Sequence, residues 1–453
     1  MRSFTKSGSS LLAGLLMTTT LATAQPKTLT LEQAKQTALE RNLNVVQAQN
    51  SVESAQARAL AARGEYLPSV SASANWNRYQ NDSPGASSIV LDNGQIIPGS
   101  SGFSVNNSFS TGVNLNYTIF DGFRREGNVG AATSSAVASE YTSARARQSV
   151  VYQTESAYVT VLRNEQLVKV SEENLKRDRR QLERITEANR VGALSLADVY
   201  RQQSQVAEDE LDLIRTQNEY DKSKADFVSL IGLDAFEEFQ FSDPELNAQL
   251  ATLETATPEQ QTAGLNELTQ RAIAARPDYL SAQQNYEATE SGVSSARAGY
   301  LPTIGASAGY SLSNRELSRI SDNKSLNWGI GIRWTLFDGF ATNQSLQSAI
   351  VERRNAEVSV QQAQRDINVQ IKKALLDLEA ARKAVDVSKK GLRSAQEDLK
   401  IAEERYNLGA GTLLDLLTAS AGYVSAQANK VNAAYGYIIA QRNLEYTIGD
   451  RSY

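Results

Sequence analysis

Val113-Asn114-Leu115-Asn116-Tyr117-Thr118-Ile119-Phe120-Asp121-Gly122-Phe123 returns 217 residues later as Ile330-Gly331-Ile332-Arg333-Trp334-Thr335-Leu336-Phe337-Asp338-Gly339-Phe340. Each stretch alternates apolar and polar residues with period two, the signature of a strand with two unlike faces, and each ends on the same four-residue motif. The same offset relates Gly192 to Gly409, Asp198 to Asp415 and Ile231-Gly232 to Ile448-Gly449. Upstream the offset is 234, relating Ala38 to Ala272, Arg63 to Arg297 and Tyr66-Leu67-Pro68 to Tyr300-Leu301-Pro302. A 17-residue insertion therefore lies between Pro68 and Phe120. The chain is two tandem copies of one plan, tolerant of length change at one end and held in register elsewhere.

Two further stretches alternate in the same way. Val70, Ala72, Ala74 and Trp76 oppose Ser69, Ser71, Ser73, Asn75 and Asn77, and in the second copy Ile304, Ala306, Ala308, Tyr310 and Leu312 oppose Thr303, Gly305, Ser307, Gly309 and Ser311. The fourth strand is read over 328–336, with Trp328, Ile330, Ile332, Trp334 and Leu336 on one face. Each has about the ten residues of a tilted strand spanning a bilayer. All three tryptophans, Trp76, Trp328 and Trp334, fall on apolar faces. With Tyr117 and Tyr310 they form a candidate interfacial aromatic belt. Half-buried strands of a soluble sheet are the plainer reading of any one stretch; four matched copies with Ser, Asn and Gly opposite favour the membrane. The links at 81–109, with turn signals Asn93-Gly94 and Pro98-Gly99, and at 313–326 are read as exposed loops.

The remainder reads as helix. Ile371, Leu378, Val385, Leu392, Leu399 and Tyr406 recur every seven residues, with Ala374, Ala381, Ser388, Ala395 and Ala402 as a companion seam; Val161, Val168, Leu175 and Leu182 correspond in the first copy. That period gives a left-handed supercoil, in a soluble coiled coil or a tube alike. The long helices over 122–189 and 339–406 would each reach about 100 Å, and helices over 30–66, 195–231, 265–300 and 412–448 about 55 Å, so two short helices match one long one. Repeat 1 spans 25–233 with a strand hairpin at 69–120, and repeat 2 spans 265–453 with its hairpin at 303–337. Between them, residues 234–264 hold seven acids and no base, an acidic connector partway up the rod or a merely solvated linker.

Composition narrows the function. Residues 1–24 read as a secretory signal, with Arg2 and Lys6, an apolar Leu11–Met17 core and an Ala22-Thr23-Ala24 cleavage pattern. Removing its two bases takes the formal net charge from -5 to -7, which disfavours nucleic acid as a partner. There is no cysteine for a disulfide or a lipid anchor, and no histidine, so thiol, imidazole and the usual zinc chemistries are absent. No stretch is apolar enough for a spanning helix; a bilayer could be crossed only as a β-barrel. A four-stranded sheet has two open edges that hydrocarbon cannot satisfy, so two, three or four chains would have to close eight, twelve or sixteen strands.

The leader, the paired Leu-Pro helix ends, the paired Phe-Asp-Gly entries and the paired tips Arg190-Val191-Gly192 and Asn407-Leu408-Gly409 together resemble the TolC family of outer-membrane efflux proteins, over essentially all of residues 29–450. The resemblance implies a mainly α chain adding four strands to a trimeric, twelve-stranded transmembrane barrel that continues into a coiled-coil helical barrel. It implies a homotrimer in the outer membrane of a Gram-negative bacterium with a long periplasmic extension. Its partners would be outer-membrane lipid, a periplasmic adaptor and an inner-membrane transporter, in efflux or type I secretion, with no cofactor and no catalytic residue. Asp198 matches the acid that links neighbouring coils at the tips, Tyr406 its phenolic partner, and Asp415 an acidic ring at the constriction. Gly411 stands where the family has an arginine, with Arg405 close enough to substitute, and Thr418 stands at the second ring. Helix capping by Asp198 and Asp415 is the plain structural alternative. The tips Arg190, Val191, Gly192, Leu408 and Gly409 would seat the adaptor, unless the glycines serve only the turns. The rival class, a pore-less periplasmic adaptor or scaffold, lacks the Gly- and Val-rich module it would need, and a hydrolase would need a carboxylate pair or nucleophile motif that is not found.

Overall fold

The computed structural model describes residues 27–83, 89–97, 102–237, 239–255 and 264–449. The expected leader, Pro98-Gly99 and residues 256–263 of the connector lie outside them. Four strands, β2 (Ser69–Ser83), β5 (Gly102–Phe120), β7 (Thr303–Asn314) and β8 (Lys324–Arg333), form one antiparallel sheet in the order β2-β5-β7-β8. Register keeps the faces apart. Tyr310 lies opposite Val113 and Leu326, Ala308 opposite Leu115 and Trp328, and Ala306 opposite Tyr117 and Ile330. On the other face Gly309 sits between Asn114 and Asn327, and Ser307 between Asn116 and Gly329. A one-residue slip would exchange the faces, so the alternation fixes the register.

Strand limits depart from the sequence reading. β2 and β5 run on to Ser83 and back to Gly102, through much of the expected loop, because their pairing continues without interruption from Ser69↔Asn116 to Ser83↔Gly102. In what remains of that loop, β3 (Ile89–Val90) and β4 (Ile96–Ile97) form a small hairpin around Gly94, whose φ of 82° suits glycine. β8 spans 324–333 rather than 328–336. Its last partner is Thr303, and Trp334 leaves the sheet to donate its indole N–H to the Tyr300 carbonyl at 3.1 Å.

Entry from sheet to long helix is made identically in both copies. Phe123 and Phe340 both adopt left-handed φ, 69° and 71°, which bulky residues rarely do. Each is held by an edge-on contact with Phe120 or Phe337, at 5.5 and 5.7 Å, while Asp121 or Asp338 accepts the N–H four residues on. The copies then differ. Asp121 is buried in an ion pair with Arg125, which also donates to the carbonyls of Thr118 and Ile119, whereas Asp338 is exposed and holds the Thr342 hydroxyl.

The long helices α3 (Arg124–Arg190) and α8 (Ala341–Asn407) have 67 residues each, about 100 Å. Neither upstream helix is continuous, contrary to the sequence reading. The 30–66 segment divides into α1 (Leu31–Arg41) and α2 (Leu43–Gly64) at Asn42, and 265–300 into α6 (Leu265–Ala275) and α7 (Pro277–Arg297) at Arg276. Both junction residues are extended. Pro277 disfavours helix at residue 276, and the Asn42 side chain caps α2 through the Asn44 N–H. These breaks are where the return helices α4 (Leu196–Leu230) and α9 (Leu413–Ile448) end. Asn42 donates to the Leu230 carbonyl at 2.8 Å, and its counterpart Arg276 to Thr447, the counterpart of Leu230, at 3.0 Å.

The resulting strip runs α2 above α4, then α3, then α7 above α9, then α8. The connector is structured where described. β6 (Phe239–Phe241) pairs parallel with β1 (Lys27–Leu29), and α5 (Pro244–Thr255) lies against α9. Tyr158, Phe227 and Phe241 pack edge-on with centroids 5.5 to 5.8 Å apart, and Tyr158 Oη donates to the Leu29 carbonyl, fastening this belt to the rod. Ile371, Ala374, Leu378 and Val385 of the sevenfold repeat are buried. Among the described residues no helix is long and apolar enough to cross a membrane.

Candidate functional site

Two regions remain available for function, the sheet and the tips at the far ends of the long helices. From the Ile304–Ile332 pair to Asn314, ten residues on, β7 advances about 33 Å. At the tilt usual for spanning barrels this is about 25 Å of height, the apolar band of an outer-membrane barrel. Trp76 faces Phe109 in a stacked pair at the upper end, level with Asn314, and Trp334 lies at the helix-proximal rim. Trp328, Tyr117 and Tyr310 lie between those levels, on the apolar face. All five aromatics are exposed in the protomer, Trp328 to 77%. Strands β2 and β8 have no partner on their outer sides among the described residues.

At the tips, both turns are built alike. Gly192, at φ 78°, donates to the Asn189 carbonyl, and Ala193 to Ala188; Gly409, at φ 71°, donates to Tyr406, and Ala410 to Arg405. This paired closure needs left-handed backbone at the glycine. It leaves Val191 71% and Leu408 83% exposed at the extreme end, with Arg190 paired to Glu187. Beneath them Ile185, Val199, Leu399, Leu413 and Leu416 form a small core.

The candidate gate residues edge this core. Asp198 caps α4. The Ser195 hydroxyl donates to it at 2.7 Å and accepts the Asp198 N–H, while Arg201 reaches its other oxygen at 3.3 Å. Asp415 caps α9 reciprocally with Thr412, whose N–H and hydroxyl hold its carboxyl below the usual range, with Arg405 adding to the effect. Tyr406 is half-buried. Burial, then the Asp198 charge, raises its phenol, against the opposing effect of Arg184, and its hydroxyl has no hydrogen-bond partner. The structure thus brings Asp198 near Tyr406 without joining them. Arg405 does not reach Asp198; it bonds the Ala410 carbonyl of its own turn at 3.4 Å. A side chain at Gly411 would meet Arg405 Cβ at 3.2 Å and the Tyr406 N–H nitrogen at 3.3 Å, a tight fit that would ask the turn to give by a few tenths of an ångström.

One cluster escaped the motif reading. Asp178 on α3 and Asp209 on α4 are buried together beside Gln202, in the seam that also carries Val168, Leu175 and Leu182. The signal was an acid at a seam position midway between two leucines.

A two-faced sheet about 25 Å tall, carried with a 100 Å strip of coiled helices on one chain, defines a class of envelope duct proteins. The chain belongs to the outer membrane efflux protein family, whose model matches it twice, over residues 34–233 and 268–450. It is 25% identical over 332 residues to the outer membrane efflux protein BepC of Brucella suis, covering 73% of this chain and 70% of that one. It is 22% identical to the outer membrane protein TolC of Salmonella enteritidis over 353 residues, 76% and 69% of the two chains. Among solved structures, a membrane protein of Pseudomonas aeruginosa superposes with a TM-score of 0.78 at 20% identity over 92% of both chains. The CmeC outer membrane channel of Campylobacter jejuni gives 0.77 at 20% identity, covering 92% of this chain and 85% of that one. The protein is therefore an outer-membrane efflux duct, and the adaptor reading is set aside.

Proposed function

We propose that three copies close edge to edge into one tube, β8 of each protomer pairing with β2 of the next, to make a twelve-stranded barrel continued by a coiled-helix tunnel. The observation that carries this is the sheet itself, four strands with segregated faces and two unpaired outer edges that lipid cannot satisfy. The polar rows, with Asn114, Gly309 and Asn327, face the lumen, and the aromatic rows face lipid. The tips Arg190, Val191, Gly192, Leu408 and Gly409 receive a periplasmic adaptor, which couples the duct to an inner-membrane transporter. Tyr406 supplies a donor and Asp198 an acceptor for a contact that closes the tips, and Asp415, repeated around the axis, favours cations at the mouth. No catalytic step is assigned to any residue.

Because the chain has no cysteine, one introduced on β2 and one on β8 report only on contact between these edges. Scanning the pairs through successive registers should yield, in one register, covalent species ending at the trimer in the outer-membrane fraction. A ladder ending at two or four subunits, or no intermolecular product in any register, defeats the trimeric tube.

A further inference from the structure

The α3/α4 seam contains a polar cluster for which the duct has no stated use. Asp178 is 5%, Asp209 6% and Gln202 0% exposed. Asp209 Oδ1 accepts from Asn174 and Gln205, both at 3.0 Å, while its Oδ2 is buried with no donor. Gln202 spends its amide N–H on the Asp178 main-chain carbonyl at 3.3 Å, and its Oε1 is likewise buried without a donor. The Asp178 carboxyl lies within hydrogen-bonding reach of Asp209. Two acceptors thus lack a hydrogen beside a group that could carry one.

The surrounding charges select among occupants. On α3, Arg177 bonds Asn174 Oδ1 and reaches Ser420 Oγ at 3.2 Å, and on α4, Asp212 is held by Ser171. From α9 the neighbours are Ser420 and the Tyr423 ring, both facing Arg177. A guanidinium beside the pair disfavours a bound metal cation but leaves room for a proton. In the second copy the counterparts of Asp178, Asp209, Gln202 and Asn174 are Ala395, Ala426, Ala419 and Gly391. The acids are therefore not a requirement of the coil.

We infer that Asp178 holds a proton that it donates to Asp209, locking the α3/α4 coil above the tips, and that losing this proton loosens the arm while α8/α9 stays unchanged. Burial first, then the hydrogen bond and charge of Asp209, pushes Asp178 up to about 7 against the opposing effects of Arg177 and Gln202. The folded chain holds the proton at a pH where the unfolded chain has lost it. The stabilisation is therefore complete below the ordinary carboxylate range and disappears as pH rises through the folded value. Once Asp178 loses its proton, its charge meets that of Asp209 across the seam and the two repel. The lock depends on contacts within one protomer and is independent of the trimeric reading.

The test uses the full chain in lipid nanodiscs at about pH 6 and about pH 8, either side of the apparent titration. Infrared difference spectra should show a protonated-carboxyl stretch that fades at the higher pH and is missing from Asp178→Asn and from Asp209→Asn. Hydrogen exchange over residues 202–215, corrected for intrinsic rates, should quicken about tenfold across that interval in the parent and stay flat in either variant. Two isosteric variants at separate positions guard against a folding artefact in one. The inference is overturned by a carboxyl signal that neither substitution removes, or by pH-dependent protection persisting in both variants. It is equally overturned by protection that follows added sodium or magnesium at fixed pH, which would make the cluster a cation site.

Discussion

Removing the Tyr406 hydroxyl separates a capping role from a gating role at the tips. Within one protomer that hydroxyl is buried and unbonded, so Tyr406→Phe leaves the isolated coil as stable or slightly more so. If it donates to Asp198 when the tube closes, the bond is to a charged acceptor and contributes about 1.5–3 kcal/mol per protomer. Its loss then shifts each tip toward opening by about 10- to 150-fold. Single-channel recording in planar bilayers should show higher conductance or longer openings for Tyr406→Phe and for Asp198→Asn, with the double variant no worse than either single. Ser195→Ala is the control. It removes the hydroxyl that caps α4, at about 1 kcal/mol, and leaves the Asp198 charge in place. Unchanged recordings for Tyr406→Phe, or additive effects in the double variant, refute the gate.

Other consequences follow from contacts that differ between the copies. Asp121→Ala strands the buried Arg125 and should lower protomer stability by about 3–5 kcal/mol, measured by thermal loss of helical signal, while the exposed Asp338→Ala should change it far less. A Cβ at Gly127 would meet Ser295 N at 2.6 Å and Ser291 O at 2.8 Å, so Gly127→Ala should cost about 1–3 kcal/mol in the same assay. Gly391, with nothing within 4 Å, should gain about 0.5–1 kcal/mol on replacement by Ala. Gly409→Leu strains a left-handed turn by about 1–2 kcal/mol at a position where an added Cβ has nothing within 4 Å, so export should stop while the tube stays folded. Normal export by this variant removes the tip as a docking surface.

Periodicity made the strands and long helices legible because each carries one repeating apolar face. Ile371, Leu378 and Val385 are buried where the sevenfold pattern put them. Strand ends were less legible. Pairing carries β2 and β5 through Arg78-Tyr79-Gln80 and Val105-Asn106-Asn107, where polar side chains blur alternation but the hydrogen-bonded ladder continues. The breaks had local signals, Pro277 after Arg276 and an asparagine able to cap at 42, but the carbonyls that those two residues bind lie 171 and 188 residues away, a distance no local window samples. The two tip acids were picked out by position; in the protomer Asp415 caps α9 reciprocally with Thr412, Asp198 lies against the Ser195 cap of α4, and the Tyr406 hydroxyl between the two turns has no partner.

The internal repeat also bears on how copies would meet in the proposed tube. Inside one chain, α3 of the first repeat packs on α7 of the second, and Gly122 approaches the Ala298 carbonyl and Leu301 Cβ so closely that an added Cβ would lie 2.8 Å from each. By the two offsets, the counterpart of Gly122 is Gly339 on the approach to α8, and those of Ala298 and Leu301 are Gly64 and Leu67 at the end of α2. All three counterparts are bare. Gly339 and Gly64 have nothing within 4 Å, Leu67 is 70% exposed, and Phe340 beside Gly339 is 71% exposed. In the proposed tube, a surface that is more covered in one repeat than in the other would be completed by α2 of a neighbouring protomer in the place of α7. In the covered repeat the counterparts Leu301 and Phe123 keep 41% and 59% exposure, so such a junction would bury only part of Leu67 and Phe340 and contribute less than the roughly 1.5–3 kcal/mol of a fully buried side chain. Leu67→Asp and Phe340→Asp should therefore leave the helical content of the protomer intact and abolish the detergent-resistant oligomer, whereas Leu60→Asp, equally exposed but away from the junction, should not. Assembly of both junction variants at the parental melting temperature would mean that the repeat does not template the ring.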